Sequence, residues 1–367
     1  MALSELNRRR WRSFRRNKRA FWSLILFAAL FTIAMFAELV ANDKPIVVSY
    51  RGELYFPVYN FYPETTFGGD FATQAIYTDP AVQCLIVSGG RQECWDDPEG
   101  FAAAVKSGST DVPRAEQGWM IWPVIPYSYN TINNVGQAPS APDAAHWLGT
   151  DNTARDVTAR VIYGFRTSIL FTLIVTVVAS TIGITMGAIQ GYFGGRTDII
   201  LQRMMEIWQN TPSLYVIIIL FAILGRSFWL LVFVTILFGW PALVGVVRAE
   251  FLRARNFEYV RAARALGVSD RVIMFRHILP NAMVATLTML PFIVTGTISG
   301  LAALDYLGYG LPASAPSLGE LALQGKQHLK SPWLAFTAFF TFAIMLSLLV
   351  FIFEGIRDAF DPRKTFK

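Results

Sequence analysis

A sequence of 367 residues has room for two or three soluble domains, but its composition excludes that reading: 53% of residues are apolar, 16% are charged, and the mean hydropathy is +0.40. Such values belong to polytopic membrane proteins. The net charge of +6 invites a nucleic-acid reading, which the placement of the basic residues beside apolar runs excludes; two cysteines and three dispersed histidines (His146, His277, His328) offer no metal-ligand spacing.

In chain order, residues 1–20 form a basic tail with eight Lys or Arg. A bilayer core about 30 Å thick takes roughly 20 helical residues, and 21–40 supplies the first such run. It is too long for the apolar part of a signal peptide and reads as an uncleaved anchor. Residues 41–166 follow, acidic on balance and too long for a bare loop. Their aromatic residues (Tyr50, Tyr55, Phe56, Tyr59, Phe61, Tyr62, Phe67, Phe71 and Tyr77) read first as a small core and second as a docking surface for a partner.

The membrane core is expected over 167–353. Ser168–Tyr192 is apolar, with Gly183 and Gly187 spaced for close helix packing. Met204–Leu224 is polar in its first half, through Glu206, Gln209, Asn210 and Pro212. Phe228–Val247 is interrupted by Gly239 and Pro241. Ala282–Leu304 carries Pro291 and the hydroxyls of Thr286, Thr288, Thr295, Thr297 and Ser299. Trp333–Phe353 closes a set of six spans, and 354–367 is a tail. Thr288, Thr295, Thr297 and Ser299 suit either a polar path for peptide groups or helix packing. Pro291 suggests a kink, and Arg160 and Arg166 suit either a peptide carboxylate or the membrane interface.

Most Lys and Arg fall in the N-terminal tail, around 196–203, within 248–277 and after residue 353. The positive-inside rule puts those segments and both termini in the cytoplasm. Cys84 and Cys94 then face the oxidising side, and a disulfide between them is expected.

No G-x-x-x-x-G-K-[ST] loop is present, so ATP is not bound in the P-loop manner. The span centres carry no charged residue and no internal repeat is visible, which disfavours the alternative of a proton-coupled peptide carrier. An intramembrane protease is disfavoured by the absence of its motifs. A motor, if any, sits on another chain.

The loop 248–280 reads as a helical elbow. Phe257–Leu266 forms one helix, ended by Gly267. Ser269 or Asp270 caps a second helix over Arg271–His277, which Pro280 stops. The apolar ridge Val272, Ile273, Phe275 and the small Ala262 and Ala263 suit a partner's groove, or an anionic lipid surface.

These residues resemble the permease subunits of dipeptide and oligopeptide ABC importers, whose hallmark is E-A-A-x-x-x-G, nine residues, then I-x-L-P. The chain reads Arg261-Ala262-Ala263-Arg264-Ala265-Leu266-Gly267, nine residues, then His277-Ile278-Leu279-Pro280; Arg261 and His277 depart from the pattern as in the peptide subclass. The resemblance extends to His146–Asp151, to Arg155-Asp156-Val157 ahead of Arg160 (with Ala154 where Gly is usual), to Leu307–Pro312 with Pro316–Glu320, and to Gly355–Arg363. Ala41–Pro45, Asn281–Thr288 and Gly319–Lys326 resemble the Yej-type subgroup, associated with microcin C and oligopeptides.

The resemblance implies an all-α integral membrane protein of six transmembrane helices, with a cytoplasmic coupling helix and a large periplasmic insertion after the first helix. It implies that Arg261, Ala262, Ala263, Arg264, Gly267, Asp270, Val272, Phe275, His277 and Pro280 meet an ATPase. The implied assembly adds a second homologous permease, two ATPase domains that hold ATP and Mg, and a periplasmic peptide-binding protein. This chain then contacts membrane lipid, holds no cofactor and does no chemistry.

Overall fold

In lipid, every backbone N–H and C=O needs an internal partner, so apolar runs of this length become helices. The computed structural model describes residues 5–360; Asp361, Pro362 and Arg363 of the C-terminal motif lie outside them. A basic helix α1 (Glu5–Arg16) precedes α2 (Lys18–Met35), which breaks at Phe36 and resumes as α3 (Ala37–Val40). The chain divides into two units, Thr32–Tyr163 and the residues up to Phe31 together with Gly164 onward.

The first unit places Val48, Tyr50, Phe67, Tyr77, Val82 and Ile86 in one core. Its sheet has order β2-β1-β3 (Glu53–Tyr55, Val47–Tyr50, Trp119–Ile121), antiparallel throughout, with Val48 opposite both Tyr55 and Met120. Phe67 is fully buried and meets Tyr50, Tyr55 and Tyr77 edge to face at centroid distances of 5.4, 5.5 and 5.8 Å. The aromatic set therefore splits: these rings build the core, while Tyr59, Phe61 and Phe71 are exposed. Two helices flank the sheet, α4 (Pro80–Ser88), capped by the Asp79 carboxylate, and α5 (Pro98–Ser107). Cys84 on α4 and Cys94 form a disulfide with Cα atoms 5.6 Å apart.

Among the described residues five helices are long and apolar enough to cross a bilayer: α2, α6 (Val157–Phe193), α9 (Phe228–Ala254), α11 (Asp270–Tyr306) and α13 (Pro332–Phe360). The stretch expected as Met204–Leu224 is instead a bent pair, α7 (Gly195–Gln209) and α8 (Ser213–Leu224), at 66°. Pro212 explains the break, because it donates no hydrogen bond and drives the residue before it out of helical geometry. Counting the pair as one span gives six. Inside the membrane unit Phe171, Ile217, Phe221, Leu231, Val234 and Leu301 make one core.

Candidate coupling elbow and its mounting

The elbow begins after α9 with α10 (Glu258–Ala265). Gly267, at φ +77°, ends it: its N–H donates to Arg264 O at 3.0 Å, and Val268 N–H donates to Ala263 O at 3.1 Å. This pair of bonds defines a Schellman motif, which needs a left-handed residue at that position. Ser269 takes the N-cap position of α11 without a side-chain cap bond. The Asp270 carboxylate accepts instead from the hydroxyl of Tyr192 on α6. Arg264 lies 5.2 Å over the ring of the same tyrosine.

Pro280 does not stop the second helix. α11 runs unbroken from Asp270 to Tyr306, because Ile273–Ile278 form a π-turn. A wider turn accommodates a residue that lacks an N–H and whose ring crowds the preceding turn. The ridge read from the sequence divides between two faces, because adjacent helical residues and those two apart point in different directions. Ile273 points inward with Val260, Met274 and Ile278, packing on Val247, Phe251, Ala188 and Tyr192. Val272 and Phe275 remain exposed, as do Leu266 (83%), Phe257 and Tyr259. Arg261, Ala262, Arg264, Asp270 and Pro280 are exposed as well, while Ala263 and His277 are half-buried.

Two further devices mount the elbow on the spans. Gly183, Gly187 and Gly191 form one stripe of α6 that lets α9 approach backbone to backbone: a Cβ on Gly187 would stand 2.7 Å from Val244 O, and one on Gly191 2.5 Å from Arg248 O. Asp198 on α7 meets Arg248 on α9. Glycine spacing announces the stripe in the sequence, although Gly191 went unread there. Nothing local announces an ion pair between residues fifty apart.

The hydroxyls of Thr288, Thr295 and Thr297 donate to carbonyls of their own helix, those of Val284 (3.1 Å), Pro291 (2.8 Å) and Ile293 (2.8 Å). Ser299 is exposed beside Gly296 and Gly300. At the far end of α11, the buried Asp305 carboxylate accepts from Leu311 N–H (2.7 Å) and Ser317 Oγ (2.6 Å). It thereby folds Leu307–Pro312 and Pro316–Glu320 onto the helix end ahead of α12 (Leu318–Gln327).

The residues ahead of α6 form a clamp. Asp151 is fully buried; its Oδ1 accepts from the N–H groups of Thr153 (2.8 Å) and Arg155 (3.0 Å), and its Oδ2 from Arg155 Nε (2.7 Å), with Arg160 Nε 3.5 Å away. Burial pushes this carboxyl up, but Arg160, Arg155 and the backbone donors outweigh it and hold the group below the usual carboxylate range. Asp156 caps α6 by accepting from Ala159 N–H at 2.7 Å, and it pairs with His146 Nδ1 at 2.9 Å. Arg160 is fully buried beside Asp151 and so belongs to this clamp. Ala154 adopts φ +60°, so the turn where Gly is usual is made with an alanine in the left-handed region. Among the described residues no group of three His, Cys, Asp or Glu is placed to hold a metal ion.

A bundle of apolar spans with a helical elbow projecting between its fourth and fifth passages is the architecture of a transporter permease. Residues 179–366 match the family described as binding-protein-dependent transport system inner membrane component, and residues 6–57 match the N-terminal TM domain of oligopeptide transport permease C. The chain belongs to this family of inner-membrane permeases. It is 50% identical to the peptidoglycan transport system permease protein YejE of Agrobacterium fabrum, across 99% of this chain and 95% of that one. It is 48% identical to the inner membrane ABC transporter permease protein YejE of Escherichia coli, across 99% and 98%. The oligopeptide transport system permease protein OppC of Bacillus subtilis is 36% identical across 65% of this chain and 78% of its own length. The protein is thus a multi-pass inner-membrane permease subunit of an ABC importer, without catalytic chemistry of its own.

Proposed function

We propose that this chain forms one half of a path that moves oligopeptides or peptide-like compounds from periplasm to cytoplasm, a second homologous permease forming the other half. Two partner ATPase domains bind ATP and Mg and grip the elbow, a periplasmic peptide-binding protein delivers the cargo, and both termini are cytoplasmic. Thr288, Thr295, Thr297 and Ser299 lie on the span that the elbow moves and are the candidates to face the cargo. Relatives named for oligopeptide and peptidoglycan transport support a cargo of the peptide class.

The observation that carries the reading is the two-sidedness of the elbow. Val260, Ile273 and Ile278 anchor its inner face to the spans, while Leu266, Val272 and Phe275 stand exposed on the outside. Exposed apolar groups on a rigid mount suit insertion into a partner's groove. Because α11 is continuous from Asp270 to Tyr306, displacement of Phe275 is carried into the membrane.

Leu266→Cys tests this in the assembled transporter, where the two native cysteines are already joined. Cross-linking to an ATPase subunit is expected, and an accessible thiol that never cross-links would overturn the docking. Gly267→Val should hydrolyse ATP without uptake, since β-branched residues do not tolerate φ +77°. Gly267→Asn, whose side chain finds open space, should retain uptake. Gly267→Asp adds a negative charge to the same turn and is expected to uncouple.

A further inference from the structure

A groove of about 520 Å³ opens among α2, α6, α11 and α13, walled by Leu24, Thr176, Val177, Met283, Val294 and Ile352 among others. No charged residue lines it. Its wall on α6 extends from Ile169 to Ile184, about four turns, or roughly 22 Å. All four walls are membrane-crossing helices, and the solvent there is lipid.

One end of the groove carries charge complementary to a phosphate. Leu24, Ile352 and Ile356 also line a second hollow, of about 360 Å³, whose other wall is Arg10, Trp11 and Phe14 of α1. That helix is amphipathic. Phe14 is buried against Ala20 and Ala359, Arg10 stacks 4.2 Å over Phe360, and Arg8, Arg9, Arg12, Arg15 and Arg16 are exposed. A third hollow beside it is lined by Arg16, Lys18 and Arg19, with Glu354 also on its wall. A basic amphipathic helix at the end of a span is where anionic headgroups gather.

We propose that this groove holds one acyl chain of an anionic phospholipid whose phosphate rests against the arginines of α1. Inside a bilayer a hydrocarbon chain gains little by moving from lipid to protein, because lipid tails are as apolar as leucine. Selectivity therefore comes from the headgroup, at about fivefold in preference for each arginine near the phosphate. The site is separate from the elbow, and peptide uptake can proceed whether or not it is filled.

The test uses the full-length chain, alone and in its assembled transporter, in nanodiscs of mixed phosphatidylglycerol and phosphatidylcholine, with retained lipid counted by native mass spectrometry. Retained lipid should be enriched in phosphatidylglycerol. Val177→Trp, which fills the groove from an exposed position on α6, should lose retained lipid of either kind. The series Arg8→Gln, Arg9→Gln and Arg12→Gln should lower the enrichment by about fivefold per residue without changing the total. These arginines project from an exposed helix, so the series stays informative if the tryptophan variant misfolds. Undiminished phosphatidylglycerol in well-folded Val177→Trp, no loss of enrichment in the arginine series, or lipid on the isolated chain that is absent from the assembled transporter because a protein neighbour covers the groove would each overturn the proposal.

Discussion

Arg248 on α9 donates through both Nε and Nη2 to the two carboxylate oxygens of Asp198 on α7, each bond 2.6 Å long. The geometry is the bidentate fork that arginine makes best, and it braces the helix leading into the elbow against the first half of the bent pair. The pair is partly shielded, with side-chain exposures of 32% and 13%.

Breaking this clamp from one side leaves a shielded charge without its partner. Arg248→Gln is expected to destabilise the transporter by about 1–3 kcal/mol, below the 3–5 kcal/mol typical of a fully buried pair. Adding Asp198→Asn should restore part of that loss, since no carboxylate is then stranded. A thermal-melt double-mutant cycle measures the coupling; additive losses would show that the two groups act independently.

What the sequence disclosed follows from how local each signal is. Long apolar runs identify the spans of α6, α9, α11 and α13 because hydropathy is a property of consecutive residues. The break ahead of Ser213 was half legible: Glu206, Gln209, Asn210 and Pro212 mark the polar first half of Met204–Leu224, but composition does not say that the chain bends there by 66°. The end of α10 at Gly267 was readable, because a left-handed cap is a local requirement. The inward turn of Ile273 was also within reach of helical periodicity: Ile273 stands about 100° from Val272 and about 160° from Phe275, on the side of Met274 and Ile278, so the three residues grouped as a ridge never share one face. Asp198 with Arg248, and Tyr192 with Asp270, are brought together by helix packing alone, which no spacing encodes.

The glycine stripe of α6 makes a sharp contrast between positions. Gly187→Ala would place a methyl group 2.7 Å from Val244 O and 2.9 Å from the Cβ of Val247, so α6 and α9 must separate. Overpacking of this kind costs about 1–3 kcal/mol. Gly245→Ala, on the facing helix but with open space around its Cβ position, should be neutral or slightly stabilising. Melting temperatures from fluorescence-detected size-exclusion chromatography distinguish the two, and equal tolerance at both sites would contradict the close packing.

Ala154 offers the opposite sign. At φ +60° an alanine carries a conformational cost of about 1–2 kcal/mol that glycine does not, partly offset by the greater freedom of glycine in the unfolded chain. Ala154→Gly is therefore expected to stabilise the clamp ahead of α6 by roughly 0.5–1 kcal/mol. Slower limited proteolysis of the 41–166 segment in the full-length chain is the readout. A faster rate would mean that contacts of the Ala154 methyl group, which is 8% exposed, outweigh the backbone strain.

The clamp itself sets an acid limit on this segment. Asp151 titrates below an unfolded aspartate, whose value is about 3.9, because Arg160, Arg155 and two backbone donors overcome its burial. A carboxyl with a lowered folded-state value contributes stability that is complete above the unfolded value and is lost as pH falls through the folded one. Proteolytic resistance of the segment should thus be insensitive to this group from pH 7 to about pH 5, and should fall away below about pH 4. Arg160→Met removes a fully buried charge partner and should cost about 3–5 kcal/mol at neutral pH. It should also move the acid transition upward, since the aspartate then protonates more readily. If Arg160→Met left the acid midpoint unchanged, Arg155 and the backbone donors alone would be holding the carboxylate.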